Sequence, residues 1–407
     1  MKPTPDLHLE PINLLSEGWG PHLRLARSSL ENVLIAAMFM AVALDMGGQI
    51  GARDIVLSIG AVMLIIVRRI VIPRQFALLF ALLVVYPTFL LLVGVLKNAD
   101  HSVAVSQYKS TVLAFILLVI LSNSPYAILA KILYYSISFT ALIAVVLAIS
   151  LLLDINVFDG LIHSLHEESA GYFGLRGYGE SNIPNIYFKA TLFYVPAALY
   201  FLFRGSYIVY FICVMGLVAA TSKAGMLFVL IATIIFLFYK GKILSKTLIG
   251  VFVSLLLLFI FQSPIIRLFF EMQEGYDSTI QVRIGHMSSI RQLFSDHPLE
   301  FLFGFGLGTE FYSEGVGQYV TNIEVDHLNC IRKYGLIWSC IFFGIVLHTS
   351  IRSMKSHVKE IRVLGVCLIS AFIVAGTNPV LISPVFFLIL LVTILANMQS
   401  RASGSDG

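Results

Sequence analysis

Charge is scarce in this chain. Only 12% of its 407 residues are Asp, Glu, Lys or Arg, while 58% are hydrophobic. Soluble domains carry about twice that share of charge. With a mean hydropathy of +0.90, the deficit excludes an ordinary soluble enzyme and predicts an all-α polytopic membrane protein with one integral domain. The net charge of +4 is too small to point to nucleic acid as a partner. Cysteine is sparse too. Cys213, Cys330, Cys340 and Cys367 lack CxxC spacing and read as reduced thiols packed as small hydrophobes. There is no Asp-x-Asp, and Glu324-Val325-Asp326 is the nearest acid pair. His163 and His166, beside Glu167 and Glu168, have helical spacing, but such pairs are usually solvated, so no metal site is expected. About thirty mostly polar residues precede the first apolar run, which predicts no cleavable signal.

What the chain has is apolar runs. A helix needs about 20 apolar residues to cross a bilayer, and about twelve candidates fit. They are Leu30–Met46, Ile55–Val67, Phe76–Leu96, Tyr108–Leu121, Ala130–Leu153 and Ile186–Phe203. Ser206–Tyr239 is split in two by Thr221-Ser222-Lys223-Ala224-Gly225. Thr247–Phe261, Ile331–Ser350, Val363–Ala375 and Val380–Met398 complete the set. With the N-terminus inside, Arg68, Arg69, Lys131, Arg204, Lys240, Arg352 and Arg362 fall on the inner side. The short outer loops keep Arg53, Lys97 and Lys109. Positive charge favours the cytoplasmic side, so residues 1–28 and 399–407 are expected there, flanking an integral domain over 29–398. Two long loops, about 154–185 and 262–333, then face outward with short helices in them, along with the Thr221–Gly225 break. These three segments can meet at one membrane face, and long loops on a rigid scaffold are where chemistry is expected.

The first loop runs from Gly174 through Arg176-Gly177 and Glu180 to Pro184-Asn185. Glycines there allow close approach to a ligand, and Arg176 offers a planar fork for phosphate. A solvated turn with an incidental arginine fits as well. Ser222-Lys223 presents either an ammonium for an anionic substrate or a lysine snorkelling to the interface. In the second loop, Arg283 heads a helix expected from about Gln281 to Leu293. The Gly304-Phe305-Gly306-Leu307-Gly308 stretch reads as a tight turn bringing backbone N–H groups to the site. Asp326-His327 follows at a span entrance, where His327 suits a general base. A plain surface histidine is the alternative.

Together, and in order, these motifs resemble the O-antigen polymerase and O-antigen ligase family of bacterial membrane glycosyltransferases. The resemblance covers about Gly171 to the end of the tenth expected span. Its elements are Arg176-Gly177 through Pro184-Asn185, Thr221-Ser222-Lys223-Ala224-Gly225, Arg283 through Gly308, and Asp326-His327-Leu328-Asn329 before Tyr334-Gly335-Leu336-Ile337. Lys223 stands where the family usually has Arg, and Asn329 lies one position later than the usual His-Asn pair. The resemblance implies an inner-membrane enzyme that takes an oligosaccharide from undecaprenyl diphosphate at the periplasmic face, without metal or cofactor and with inversion. Arg176, Arg283 and Lys223 would take the charge of the leaving diphosphate. His327 would activate the acceptor hydroxyl with Asp326 orienting it, while Asn185, Ser222 and Glu180 would contact substrate. The spans would open sideways to admit the lipid, and a chain-length regulator or a flippase would be a protein partner.

A polymerase, which passes the growing chain to the next lipid-linked repeat, is favoured over a ligase, which passes it to lipid A–core. The Asp296–Gly308 turn and the end from Gly376-Thr377-Asn378-Pro379 to Ser383-Pro384-Val385-Phe386 look more like polymerases. A lipid-sugar flippase is the alternative from another class. Transporters are often built from repeated halves, which the uneven placing of the long loops opposes. A non-catalytic assembly subunit is the third reading.

Overall fold

A computed structural model describes residues 21–45, 51–67, 76–167, 171–178, 181–240 and 278–404. The described chain is mostly helical. The first helices are α1 (Pro21–Leu44), α2 (Ala52–Val67), α3 (Ala77–Leu96), α4 (His101–Leu121), α5 (Tyr126–Leu152) and α6 (Asp159–Glu167). A hairpin of β1 (Gly171–Tyr178) and β2 (Ser181–Phe188) follows, then α7 (Tyr194–Arg204), α8 (Tyr207–Ala219) and α9 (Lys223–Lys240). After the undescribed stretch come α10 (Ser278–Asp296), α11 (Pro298–Phe303) and a second hairpin of β3 (Phe311–Ser313) and β4 (Gln318–Val320). The chain closes with α12 (Asp326–Tyr334), α13 (Leu336–Met354), α14 (Lys359–Val374) and α15 (Pro384–Gly404).

Among the described residues, six helices are long and apolar enough to cross a membrane: α3, α4, α5, α13, α14 with its 3-10 extension, and α15. Shorter apolar helices occupy Ser29–Leu44, Thr191–Arg204, Tyr207–Ala219 and Lys223–Phe236. One large apolar cluster fills the bundle, with smaller ones under the first and second hairpins. Helix α7 is buried from Tyr194 to Leu202 and packs against α5, α8, α9 and α14. Local chemistry fixes several ends. The Asp100 carboxylate caps α4 by accepting from the Ser102 and Val103 amides at 2.8 and 3.1 Å. A π-turn at Ala81–Val85 interrupts α3, and the Leu82 carbonyl there accepts from Trp338 Nε1 at 2.9 Å.

The bundle has two distinct ends. Ser102, Ser106 and Ser110 of α4 lie at one end with the hairpins and α12. Ser122, near the C-terminus of α4, lies at the other with His348, Arg352 and Arg401. There the Gln399 side chain donates to the Ser124 carbonyl and accepts from the Tyr126 amide.

Several expected boundaries move. The sixth run, Ile186–Phe203, is a strand to Phe188 and becomes α-helical only at Tyr194. Ile186 and Phe188 are buried as part of the hairpin rather than of a helix. The tenth, Ile331–Ser350, is two helices, because Gly335 takes φ +82° and closes α12 before α13 begins. The twelfth starts at Pro384 rather than Val380, since Pro at the first helical turn starts a helix readily. The first long loop carries a β-hairpin, in register from Gly171↔Phe188 to Tyr178↔Ser181, so the chain is not wholly α. The expected ninth span, Thr247–Phe261, lies outside the described residues.

Candidate functional site

Two cavities adjoin at the hairpin end of the bundle. The first, about 570 Å³, is lined by five segments, one of which supplies Asn322 before α12. Ser102, Ser106, Gln107 and Ser110 come from the opening turns of α4. Tyr187 and Lys189 come from the end of the first hairpin. Asp326, Asn329, Cys330 and Lys333 come from α12, and Asn378, Pro379, Val380, Ile382 and Ser383 from the turn before α15. The second, about 430 Å³, is lined by Tyr172, Asn185 and Tyr187, by Thr221 through Ala224, and by Thr377 and Asn378. Tyr187 and Asn378 belong to both, and the Asn378 amide donates to the Tyr187 hydroxyl at 2.6 Å. The bridge stands between the two spaces. Burial pushes the Tyr187 phenol upward, its bond from Asn378 opposes that, and the nearby Glu324 carboxylate adds to it.

Helix α12 supplies the charges. Asp326, Asn329, Cys330 and Lys333 fall at spacings of three, four and seven and so share one helix face. Asp326 and Lys333 are both buried. The Asp326 carboxylate accepts from the Leu381 amide and, at 3.3 Å, from Asn329 Nδ2. Lys333 Nζ donates to Asn322 Oδ1. Burial raises the Asp326 carboxyl above the usual carboxylate range, against the pull of the Leu381 amide and of Lys333. Burial lowers the Lys333 ammonium, the Arg332 charge adds to this, and Asp326 opposes it. Lys189 is lowered as well, mainly by burial. The first cavity therefore holds a carboxylate and two ammonium groups whose proton affinities have moved toward neutrality, a pattern typical of working sites.

Arg332, next in sequence, is used differently. It is wholly buried, donates to the Thr309 and Thr321 carbonyls at 2.9 and 2.6 Å, and lies over the Phe311 ring at 4.8 Å. It ties the loop of the second hairpin to α12.

The expected site residues scatter more than their motifs suggest. Asn185, Ser222 and Lys223 meet in the second cavity. Thr221 has φ +47°, and this left-handed residue lets the chain break between α8 and α9, with Ser222 buried and Lys223 exposed at the cavity rim. Asn185 Oδ1 is buried with no hydrogen-bond partner, as is Gln107 Nε2 beside the first cavity. Such orphaned groups are costly unless something binds them. Arg176 sits on β1 opposite Ile183; its side chain, and Glu180 altogether, lie outside the described residues. Arg283 lines neither cavity. Its Nε and Nη2 are both 2.8 Å from Glu324 Oε2, in a pair 38% and 41% exposed.

His327 and Asp326 part company. The His327 ring packs edge-on against Phe372 and Phe343, with centroids 4.6 and 5.5 Å away. Its Nε2 is buried without a partner. Burial lowers its proton affinity, opposed by a hydrogen bond to the Phe372 backbone. It lines neither cavity. The glycine turn also differs from expectation. Gly304, Gly306 and Gly308 have φ of +92°, +100° and +73°, which favours glycine at each. The turn's N–H groups are spent on protein: Phe305 donates to Arg332 O, Gly306 to Lys333 O, Leu307 to Leu90 O and Gly308 to Gln107 Oε1. The turn buckles α3 to the end of α12 and offers no free N–H cradle.

Sequence reasoning passed over Lys189, Lys333, Tyr187 and Asn378 as site residues. Two signals mark part of this cavity. Ser102, Ser106 and Ser110 repeat every four residues along α4, and Asp326 stands seven before Lys333. Among the described residues, no group of three or more His, Cys, Asp or Glu is placed to hold a metal ion. No protein-family model and no curated protein matches the chain.

Proposed function

We propose that this protein is a polymerase that joins oligosaccharide repeats carried on undecaprenyl diphosphate into a surface polysaccharide. The observation that carries the reading is the pair of adjoining cavities, each with lysine in its lining, with the Tyr187–Asn378 bridge between them. Both substrates of a polymerase bring a diphosphate, and two neighbouring cation-bearing pockets suit two such groups. A ligase or a flippase handles one polyprenyl diphosphate at a time.

In this reading the anomeric carbon–oxygen bond of the donor breaks, and its electron pair leaves on the lipid diphosphate. Lys189 and Lys333 take up that charge in the first cavity. Fixed cations in a dry site are well suited to this, because they need no reorganisation as charge develops. The acceptor hydroxyl forms the new bond from the opposite face, inverting the centre, and gives its proton to Asp326. A carboxylate raised toward neutral pH is a better base than an ordinary one. The second diphosphate rests near Lys223, Ser222 and Asn185. The topology that goes with this is twelve spans, both termini in the cytoplasm and the cavities at the periplasmic face of the inner membrane. The basic residues at the opposite end, Lys131, Arg204, Arg352 and Arg401, support that orientation.

Complementation of a deletion strain by Lys333→Met tests the proposal, with membrane levels checked first and the surface polysaccharide resolved on a gel. Accumulated single repeats with no long chains are the expected result. Long chains left on the lipid carrier would identify a ligase. A wild-type ladder would end the proposal.

A further inference from the structure

The second hairpin carries a feature that the reaction does not use. Tyr312 and Tyr319 face each other across β3 and β4. Their rings meet edge to face at 5.7 Å, yet they are 50% and 68% exposed. The hairpin is pinned from beneath: Phe311 lies under the Arg332 guanidinium, and the Ser313 hydroxyl meets His286 Nδ1 at 2.5 Å. The tyrosines are thus held out on a fixed base. Tyr319 forms one wall of a recess of about 580 Å³, whose other walls include Asn98, Asp100, Thr309 and Glu310. Lys97 closes it, with Nζ 5.3 Å from the Phe305 ring centroid and 3.6 Å from Glu300.

We infer that this recess is a separate saccharide-binding site, which holds the polysaccharide chain after it leaves the reaction cavity. This inference rests on the polymerase reading and adds a second station for its product. The Tyr319 ring, braced edge to face by Tyr312, offers an apolar plane to the C–H side of a sugar ring. The Glu310 carboxylate, the Asp100 Oδ2 left over from the α4 cap, and the amide of Asn98 match sugar hydroxyls. The lining is too polar for a lipid tail. The recess also adjoins the first cavity through a shared wall: the turn containing Phe305 and Thr309 lines it, and the Gly308 amide in that turn donates at 3.1 Å to Gln107, which lines the reaction cavity. A glycan growing from the first space crosses one turn of chain to reach the second. Holding it there lowers the chance that the chain departs between additions, so the site sets product length.

The test uses the full-length protein in nanodiscs and, as probe, lipid-free polysaccharide released by mild acid from the producing cells. Tyr312→Ala/Tyr319→Ala is expected to bind this probe about tenfold more weakly, a loss of about 1.4 kcal/mol. Tyr312→Phe/Tyr319→Phe, which keeps both rings, is expected to bind within about twofold of wild type. In cells the alanine pair still joins repeats, but the gel ladder shifts to shorter chains. Unchanged binding and unchanged length in the alanine pair, with wild type still polymerising, overturn this inference and leave the polymerase reading intact. A phenylalanine pair as weak as the alanine pair also overturns it, because stacking would then not be the cause. A wild type that neither polymerises nor binds the probe overturns the polymerase reading and this site with it.

Discussion

Helices α10 and α12 bring cations and carboxylates to the same end of the molecule and treat them in opposite ways. On α10, Arg283 reaches out to Glu324 in a pair that is more than a third exposed. On α12, Asp326 and Lys333 are within 5% of complete burial and line a cavity. An exposed ion pair contributes about 0–1 kcal/mol and is screened by salt. Burying an ion costs several kcal/mol unless its surroundings repay it. A chain with so few charges that buries two beside an open space spends stability there, and the cavity is the reason available. Burial alone does not make a site, as Arg332 shows. It is equally buried, but its Nη1 and Nη2 donate to Thr309, Thr321 and Asn329 and its plane lies over Phe311.

The contrast breaks most visibly at Asp326. Asp326→Asn keeps the shape and the acceptor for the Leu381 amide but removes the base. Polymer formation in a purified lipid-linked repeat assay is expected to fall about 10²- to 10⁴-fold. Lys333→Met is expected to cost about 10²- to 10³-fold in the same assay. A loss below about tenfold in both would return the chemistry to α10.

The pH profile sharpens the same point. In the proposed mechanism Asp326 acts ionised, and burial raises it. Activity is therefore lost as pH falls through a point above the usual carboxylate range. Lys333 acts as a cation, and burial lowers it, so activity is lost as pH rises through a point below the usual lysine range. The window is narrow on both sides. Lys189 is lowered too, so Lys333→Arg combined with Lys189→Arg should widen the window on the alkaline side alone, since a guanidinium stays charged there. An alkaline limb that does not move in the double variant would remove both lysines from the mechanism. Arg283→Gln tests the other helix. Its pair with Glu324 predicts a change of about fivefold or less, shrinking further at high salt.

Much of the fold was readable because apolar length is a strong signal. The runs at Phe76–Leu96 and Val363–Ala375 match helices to within a few residues. The break at Thr221–Gly225 was readable because a polar Thr-Ser-Lys step interrupts a run too long for one span. Ile186–Phe203 misled because a buried strand and a buried helix are equally apolar, and periodicity does not separate them over a few residues. The site was half readable. Asn185, Ser222 and Lys223 were named from the sequence, and they line one cavity. Lys333 was missed because it reads as the end of a loop, and only the helix puts it on the face of Asp326. Lys189 was hidden inside an expected span. The glycine turn was rightly seen as tight, but the partners of its N–H groups lie on α3, α4 and α12, far away in sequence.

His327 gives the smallest effect and the finest distinction. It follows Asp326 directly, and the sequence makes the two look like one acid–base unit. One step along a helix turns a side chain by about 100°, which is why Asp326 faces the cavity while His327 enters the box of Phe343 and Phe372. Its Nε2 makes no hydrogen bond there. Phenylalanine fills the same space and removes that orphaned nitrogen, at the cost of the ring's bond to the Phe372 backbone. These two changes oppose each other at about 1 kcal/mol apiece. His327→Phe is therefore expected to keep polymer length and to change the rate by about threefold or less. The same variant abolishes activity if His327 is the base. Polymer made by His327→Phe and not by Asp326→Asn, at equal membrane levels, would assign the proton to the carboxylate, and the reverse pattern would assign it to the imidazole.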